Sequence, residues 1–130
     1  MYGVERLISE LRALGYGATA VRGQQPGSTE ILDFGVIEGY EVQLGRFVGR
    51  VIQLGLPAPP DFPKSVGASI HVCADPQLLE YGQVANERNI QQSALGPEWR
   101  YWSHNFQWSG ERDRSAARLL AQINGIFERA

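Results

Sequence analysis

His71 and Cys73 stand two residues apart. On an extended strand that spacing puts both side chains on one face, so a cysteine–imidazole pair is geometrically available. A nucleophilic cysteine needs exposure and a basic or positive neighbour to become a thiolate. The pair lies inside the apolar run Ala68–Cys73, where a free cysteine commonly serves as a small core residue. His104 and Asn105 offer a second constellation. An imidazole there can act as general base or proton carrier near neutral pH, or can simply bond a backbone carbonyl. They sit in an aromatic segment, Trp99-Arg-Tyr-Trp-Ser-His-Asn-Phe-Gln-Trp108, which holds all 3 tryptophans of the chain. One account of Trp102, Trp108, Tyr101 and Phe106 is a local apolar cluster that seals a loop onto the core. The other is a binding surface, because Trp, Tyr and Arg are favoured interface anchors. The two are compatible, with Trp99 and Trp102 turned inward and Tyr101 or Phe106 outward.

Other chemistry is excluded by what the chain contains. With 2 histidines and 1 cysteine it has no standard zinc spacing, so no metal site is expected. Neither a dinucleotide-binding GxGxxG before a helix nor a P-loop is present, so no cofactor is expected. A formal charge of −2 provides no basic field for nucleic acid. No apolar run approaches the roughly 20 residues needed to cross a bilayer, and no signal-peptide pattern opens the chain. A single thiol that cannot form an internal disulfide fits a reducing cytoplasm.

The elements that must position these residues can be read from periodicity. The length of 130 residues suits a single domain over the whole chain, 1–130. Val4, Leu7, Ile8, Leu11 and Leu14 recur at three and four, which predicts an amphipathic helix over 2–14 that ends at Gly15. Strands are expected at 18–23, 30–37 and 40–44, with a turn at Gly39. The next strand, from Arg50, runs through Val51, Ile52, Leu54 and Leu56 into Pro57, Pro59, Pro60 and Pro63. Proline has a fixed backbone angle and no amide hydrogen, so the strand must leave the sheet there as a stiff loop. Phe62 is the apolar plug expected to pin that loop. Ala68–Cys73 forms a further strand. Residues 75–98 read as an irregular loop in which Leu78 and Leu79 tuck inward. A last helix is expected to open at Ser109, with Leu119, Leu120, Ile123, Ile126 and Phe127 as its apolar stripe. The expected architecture is α+β: helix, four-stranded antiparallel meander, proline loop, long loop, helix.

In that order, these motifs resemble the ubiquitin-conjugating enzyme (UBC) superfamily. Pro59-Pro-Asp-Phe-Pro63 is similar to the family's "PPxYP"-type loop after the third strand, with Phe62 in the aromatic position. The Trp108-Ser109 pair before the last helix resembles the family's tryptophan that precedes its second helix. Trp99-Arg-Tyr-Trp-Ser-His104 with Trp108 is similar to a bacterial branch associated with ubiquitin-like proteins, activating enzymes and deconjugating metalloproteases. The resemblance implies a UBC-like fold, a ubiquitin-like protein and its activating enzyme as partners, and a first helix that faces the activating enzyme. It also implies a working surface around His104, Trp102, Asn105 and Trp108, opposite the proline loop, with Asn105 able to supply an amide to an oxyanion. One departure is plain: no cysteine lies between Ala74 and Ala130. His104, four before Trp108, is nearest the family's nucleophile position, and Cys73 comes too early. The implied function is a noncanonical variant that binds a ubiquitin-like protein or partner enzyme without a cysteine thioester. The alternatives are an acyl-transfer enzyme using Cys73 or His104, and an interaction module unrelated to ubiquitin-like proteins.

Overall fold

The first helix, α1 (Gly3–Ala13), forms where the spacing of Leu7, Ile8 and Leu11 predicts it, and it buries those three side chains. In the computed structural model, which describes residues 1–79 and 90–130, it ends in a Schellman turn. Tyr16 N–H donates to Leu11 O at 3.1 Å and Gly15 N–H to Arg12 O at 3.0 Å. Gly15 holds φ +96°, a left-handed conformation that suits a residue without Cβ. Leu14, the last member of the expected stripe, stays exposed.

Six strands follow: β1 (Ala18–Gln24), β2 (Ile31–Glu41), β3 (Val51–Pro57), β4 (Ser69–Cys73), β5 (Ile90–Ser93) and β6 (Gly96–Ser103). They form one antiparallel sheet in the order β1-β2-β3-β4-β6-β5. The chain closes with α2 (Ala116–Arg129). The architecture is α+β, as expected, but the described residues form six strands, not a four-stranded meander: the expected strand over 40–44 merges into β2, the expected strand over Ala68–Cys73 is β4, and β5 and β6 add a hairpin. Its second strand pairs with β4, Ile70 opposite Trp102 and His71 opposite Tyr101.

Three further expectations are corrected. No separate strand runs over 40–44, and Gly39 is not a turn. β2 continues through it to Glu41, and a register shift between Ile37 and Tyr40 takes up the irregularity. Residues 75–98 are not one irregular loop. Their last part forms the hairpin, while the rest of the expected loop beyond Leu79 lies, up to residue 89, outside the described residues. Leu78 and Leu79 are buried. The last helix is capped by Ser115, whose Oγ accepts from Arg118 N–H at 3.2 Å, not by Ser109.

The sheet has two buried faces. Both helices lie on one. There Ile52, Leu54, Leu56, Ile70, Val72 and Trp102 meet Leu7, Leu11, Leu119, Ile123 and Phe127 in the main core. At roughly 2 kcal/mol for each large apolar side chain removed from water, this layer is the principal source of stability. The other face carries Phe34, His71 and Tyr101, with no helix over it among the described residues. It is covered instead by the turn between β5 and β6. A Cβ on Gly55 of β3 would lie 2.6 Å from Leu95 Cδ1, and one on Gly23 of β1 would lie 2.5 Å from Ala94 O. Gln25 Nε2 donates to Gln92 O at 2.6 Å. The sheet therefore coils until its first edge strand touches the hairpin at its opposite edge.

Candidate functional site

β3 ends at Pro57, and the proline run forces the chain out of the sheet for eleven residues before β4 begins at Ser69. Three anchors fix this loop. The Phe62 side chain is fully buried. Gly3 N–H donates to Phe62 O at 3.0 Å. The Trp108 indole Nε1–H donates to Pro63 O at 2.8 Å. The tryptophan before the second helix thus clasps the loop one residue beyond the expected plug. Between them opens a groove of about 510 Å³, lined by Asp61, Lys64 and Ser65 on one bank and Asn105, Phe106 and Arg114 on the other.

Asn105 and Phe106 form a ridge. On its far side lies a second cleft, of about 410 Å³, with His104, Glu111, Arg118, Gln122 and Arg129 in its lining. Gln122 holds the ridge by its Oε1, which accepts from Gln107 N–H at 3.0 Å, and its Nε2, which donates to Gln107 O at 2.9 Å. Arg118 Nε pairs with Glu111 Oε2 at 2.9 Å. His104 donates its backbone N–H to Ala68 O at 3.0 Å, and its ring stands edge-on to Trp102 at 4.7 Å between centroids. The structure thus brings Asn105, Phe106 and Trp108 to the proline-loop groove, while His104 opens on the neighbouring cleft. Phe62, Trp102 and Trp108 are buried, and Tyr101 and Phe106 are half-buried. Trp99 and Trp102 do not both turn into one core. Three residues apart on β6, they point to opposite faces.

Cys73 ends β4, half-buried, beside a cleft that also holds Glu38, Asp75 and Glu98. Burial pushes its thiol pKa up. The negative charges of Glu98 and Asp75 push the same way, and Arg100 opposes them. That environment favours the neutral thiol over the thiolate. His71 shares its face, as the spacing implies, yet it does not pair with Cys73, because both ring nitrogens bond serines. Nε2 lies 3.1 Å from Ser69 Oγ, and Nδ1 lies 2.7 Å from Ser93 Oγ. The imidazole is also edge-on to Phe34 and to Tyr101, at 4.8 and 5.4 Å. Burial lowers its pKa from 6.5 to about 4, so it is neutral at physiological pH.

This serine–histidine–serine row was not singled out in the sequence. Ser69-x-His71 is a visible same-face pair. Ser93 lies 22 residues beyond the histidine and joins it only through the coil of the sheet. A third cleft, of about 370 Å³, opens above the row, with Pro57 to Pro60, Leu32, Asp33 and Tyr101 around it.

Among the described residues, no group of three His, Cys, Asp or Glu side chains is placed to hold a metal ion. Among them, too, no helix is long and apolar enough to cross a membrane. Comparison with protein-family models, with curated proteins and with solved structures returns no match.

Proposed function

We propose that the chain is a ubiquitin-conjugating-enzyme-like domain of a bacterial ubiquitin-like modification system. In this reading it holds a ubiquitin-like protein or its partner enzyme without forming a cysteine thioester. One observation carries the reading: the loop after the third strand, with Phe62 buried, is clasped by the tryptophan before the second helix through Trp108 Nε1–H to Pro63 O. The motif pair that suggests the family is thereby one physical unit, and it frames a groove. An extended tail could lie between Lys64 and Ser65 on one side and Asn105 and Phe106 on the other. The raised pKa of Cys73, and the carboxylates beside it, argue against thioester transfer through the one thiol.

The test is to mix the chain with a bacterial ubiquitin-like protein and its activating enzyme, with ATP, and to follow both binding and covalent capture. The expected result is a complex weakened at least tenfold by Phe106→Ala or Asn105→Ala, with no thiol-reducible adduct. A reducible adduct lost in Cys73→Ala would favour conventional transfer instead. A thiol-resistant adduct lost in His104→Ala would assign the acyl group to the imidazole.

A further inference from the structure

We propose that Ser69 is an acyl-accepting nucleophile, with His71 as its general base and Ser93 as the group that positions the imidazole. The cleft above them would take small esters or activated acyl groups that are uncharged or cationic. The cleft adjoins the groove beside the proline loop, with Gly67 and Ala68 in both linings, but the inference does not rest on the ubiquitin-like reading.

The geometry has three of the parts such a site uses: a hydroxyl within reach of a base, the base held by a third group, and a cavity beside the hydroxyl. Ser69 Oγ lies 3.1 Å from His71 Nε2. Ser93 Oγ lies 2.7 Å from Nδ1 and accepts from Leu95 N–H at 3.0 Å, which fixes the oxygen in place. With Nδ1–H donating to the remaining lone pair of Ser93, Nε2 turns its own lone pair toward the Ser69 hydroxyl. Ser69 and His71 are both buried, yet both line the cleft. Burial keeps the ring neutral, so Nε2 has a free lone pair at neutral pH, at the cost of lower basicity. Among the described residues, the titratable groups facing it are few. The Tyr101 phenol stands edge-on from β6. Phe34 and Gly55 face it from β2 and β3. At the rim lie the carboxylates of Glu30 and Asp33, the latter paired with Arg22 at 3.2 Å.

The charged residues lining the cleft are both acidic, and the walls are Ile31, Leu32 and the proline run. Such a cavity disfavours anionic acyl groups. In the reaction, Ser69 Oγ bonds to the acyl carbon and its proton passes to Nε2. The bond to the leaving alkoxide then breaks, and the departing oxygen takes that proton from Nε2. Water then attacks the acyl-serine, giving its proton to Nε2, and Ser69 recovers a proton as the acid is released.

The test treats the full chain with an uncharged fluorophosphonate probe and reads intact mass, the modified peptide and the rate. The expected result is one adduct, on Ser69, absent in Ser69→Ala. Labelling should be at least about 100-fold slower in His71→Gln and slowed in Ser93→Ala. In the parent protein the rate should be flat around neutrality and fall to half near pH 4, the value of the buried imidazole. Circular dichroism establishes that each variant is folded, and if His71→Gln is not, the Ser93→Ala rate and the pH profile carry the decision. A folded parent protein left unmodified at Ser69, or an adduct there whose rate shows no step near that pH, overturns the proposal.

Discussion

His71 is a titratable ring placed where a proton is unwelcome. Its two nitrogens are bonded to serine hydroxyls, and its edges meet two aromatic rings. The unfolded chain takes up the proton near 6.5 and the folded chain only near 4. Between those values the unfolded state binds more protons, so protonation favours unfolding. Stability is full above the unfolded value and declines as pH falls toward 4, by on the order of 3 kcal/mol over the window. Urea denaturation at neutrality and at mildly acidic pH checks this. The acid-side loss should be much reduced in a folded His71→Gln variant, and an undiminished loss there would mean that another group is responsible. The same residue shows what local spacing can reveal. The i, i+2 relation correctly put His71 and Cys73 on one face. It could not show that the imidazole's hydrogen bonds go elsewhere, because Ser93 arrives from another strand.

At the scale of elements, the proline loop and the last helix meet through a single indole. Trp108→Phe keeps most of the ring bulk and removes the N–H that Pro63 O accepts. The expected cost is about 1 to 2 kcal/mol, because a half-buried carbonyl loses its partner. Limited proteolysis should also cut faster between residues 57 and 68, and a loop as resistant as before would show that Phe62 alone holds it. α1 and the apolar stripe of α2 were legible from spacing, since each is a local pattern with one buried face, and the Phe62 plug from its place as an aromatic side chain inside the proline loop. The start of α2 differs from the expected one. Ser109 is a good cap by type, but Gly110 after it takes φ +79°, outside the helical region, and the helix waits for Ser115. β6 was missed for a related reason. Trp99, Tyr101 and Trp102 are large on both sides of the strand, because both faces of the sheet are covered there, and the alternation that marks a half-exposed strand is absent.

For the molecule as a whole, the coil of the sheet decides which residues become neighbours. The curl depends on bare backbone at Gly23, over which Ala94 O passes. Gly23→Val should destabilise the protein by about 1 to 3 kcal/mol, since carbonyl and side chain cannot share that space. Near-ultraviolet circular dichroism should also change, because Trp99 lies beside Leu95 of the same turn, over Gly55. An unchanged melting temperature would mean that the hairpin is not held against β1.

The sequence by itself determined the local patterns: an amphipathic helix at each end, strands of apolar residues, a chain forced out of the sheet by four prolines, and a lone thiol. Each depends on residues within a few positions of one another, where periodicity and backbone restriction act directly. Only the tertiary structure decided that β6 inserts beside β4, that the indole of Trp108 closes on Pro63, and that Ser93 reaches His71. Those meetings depend on strand register and sheet coil, which are set by packing over the whole molecule and leave no mark at a fixed sequence spacing.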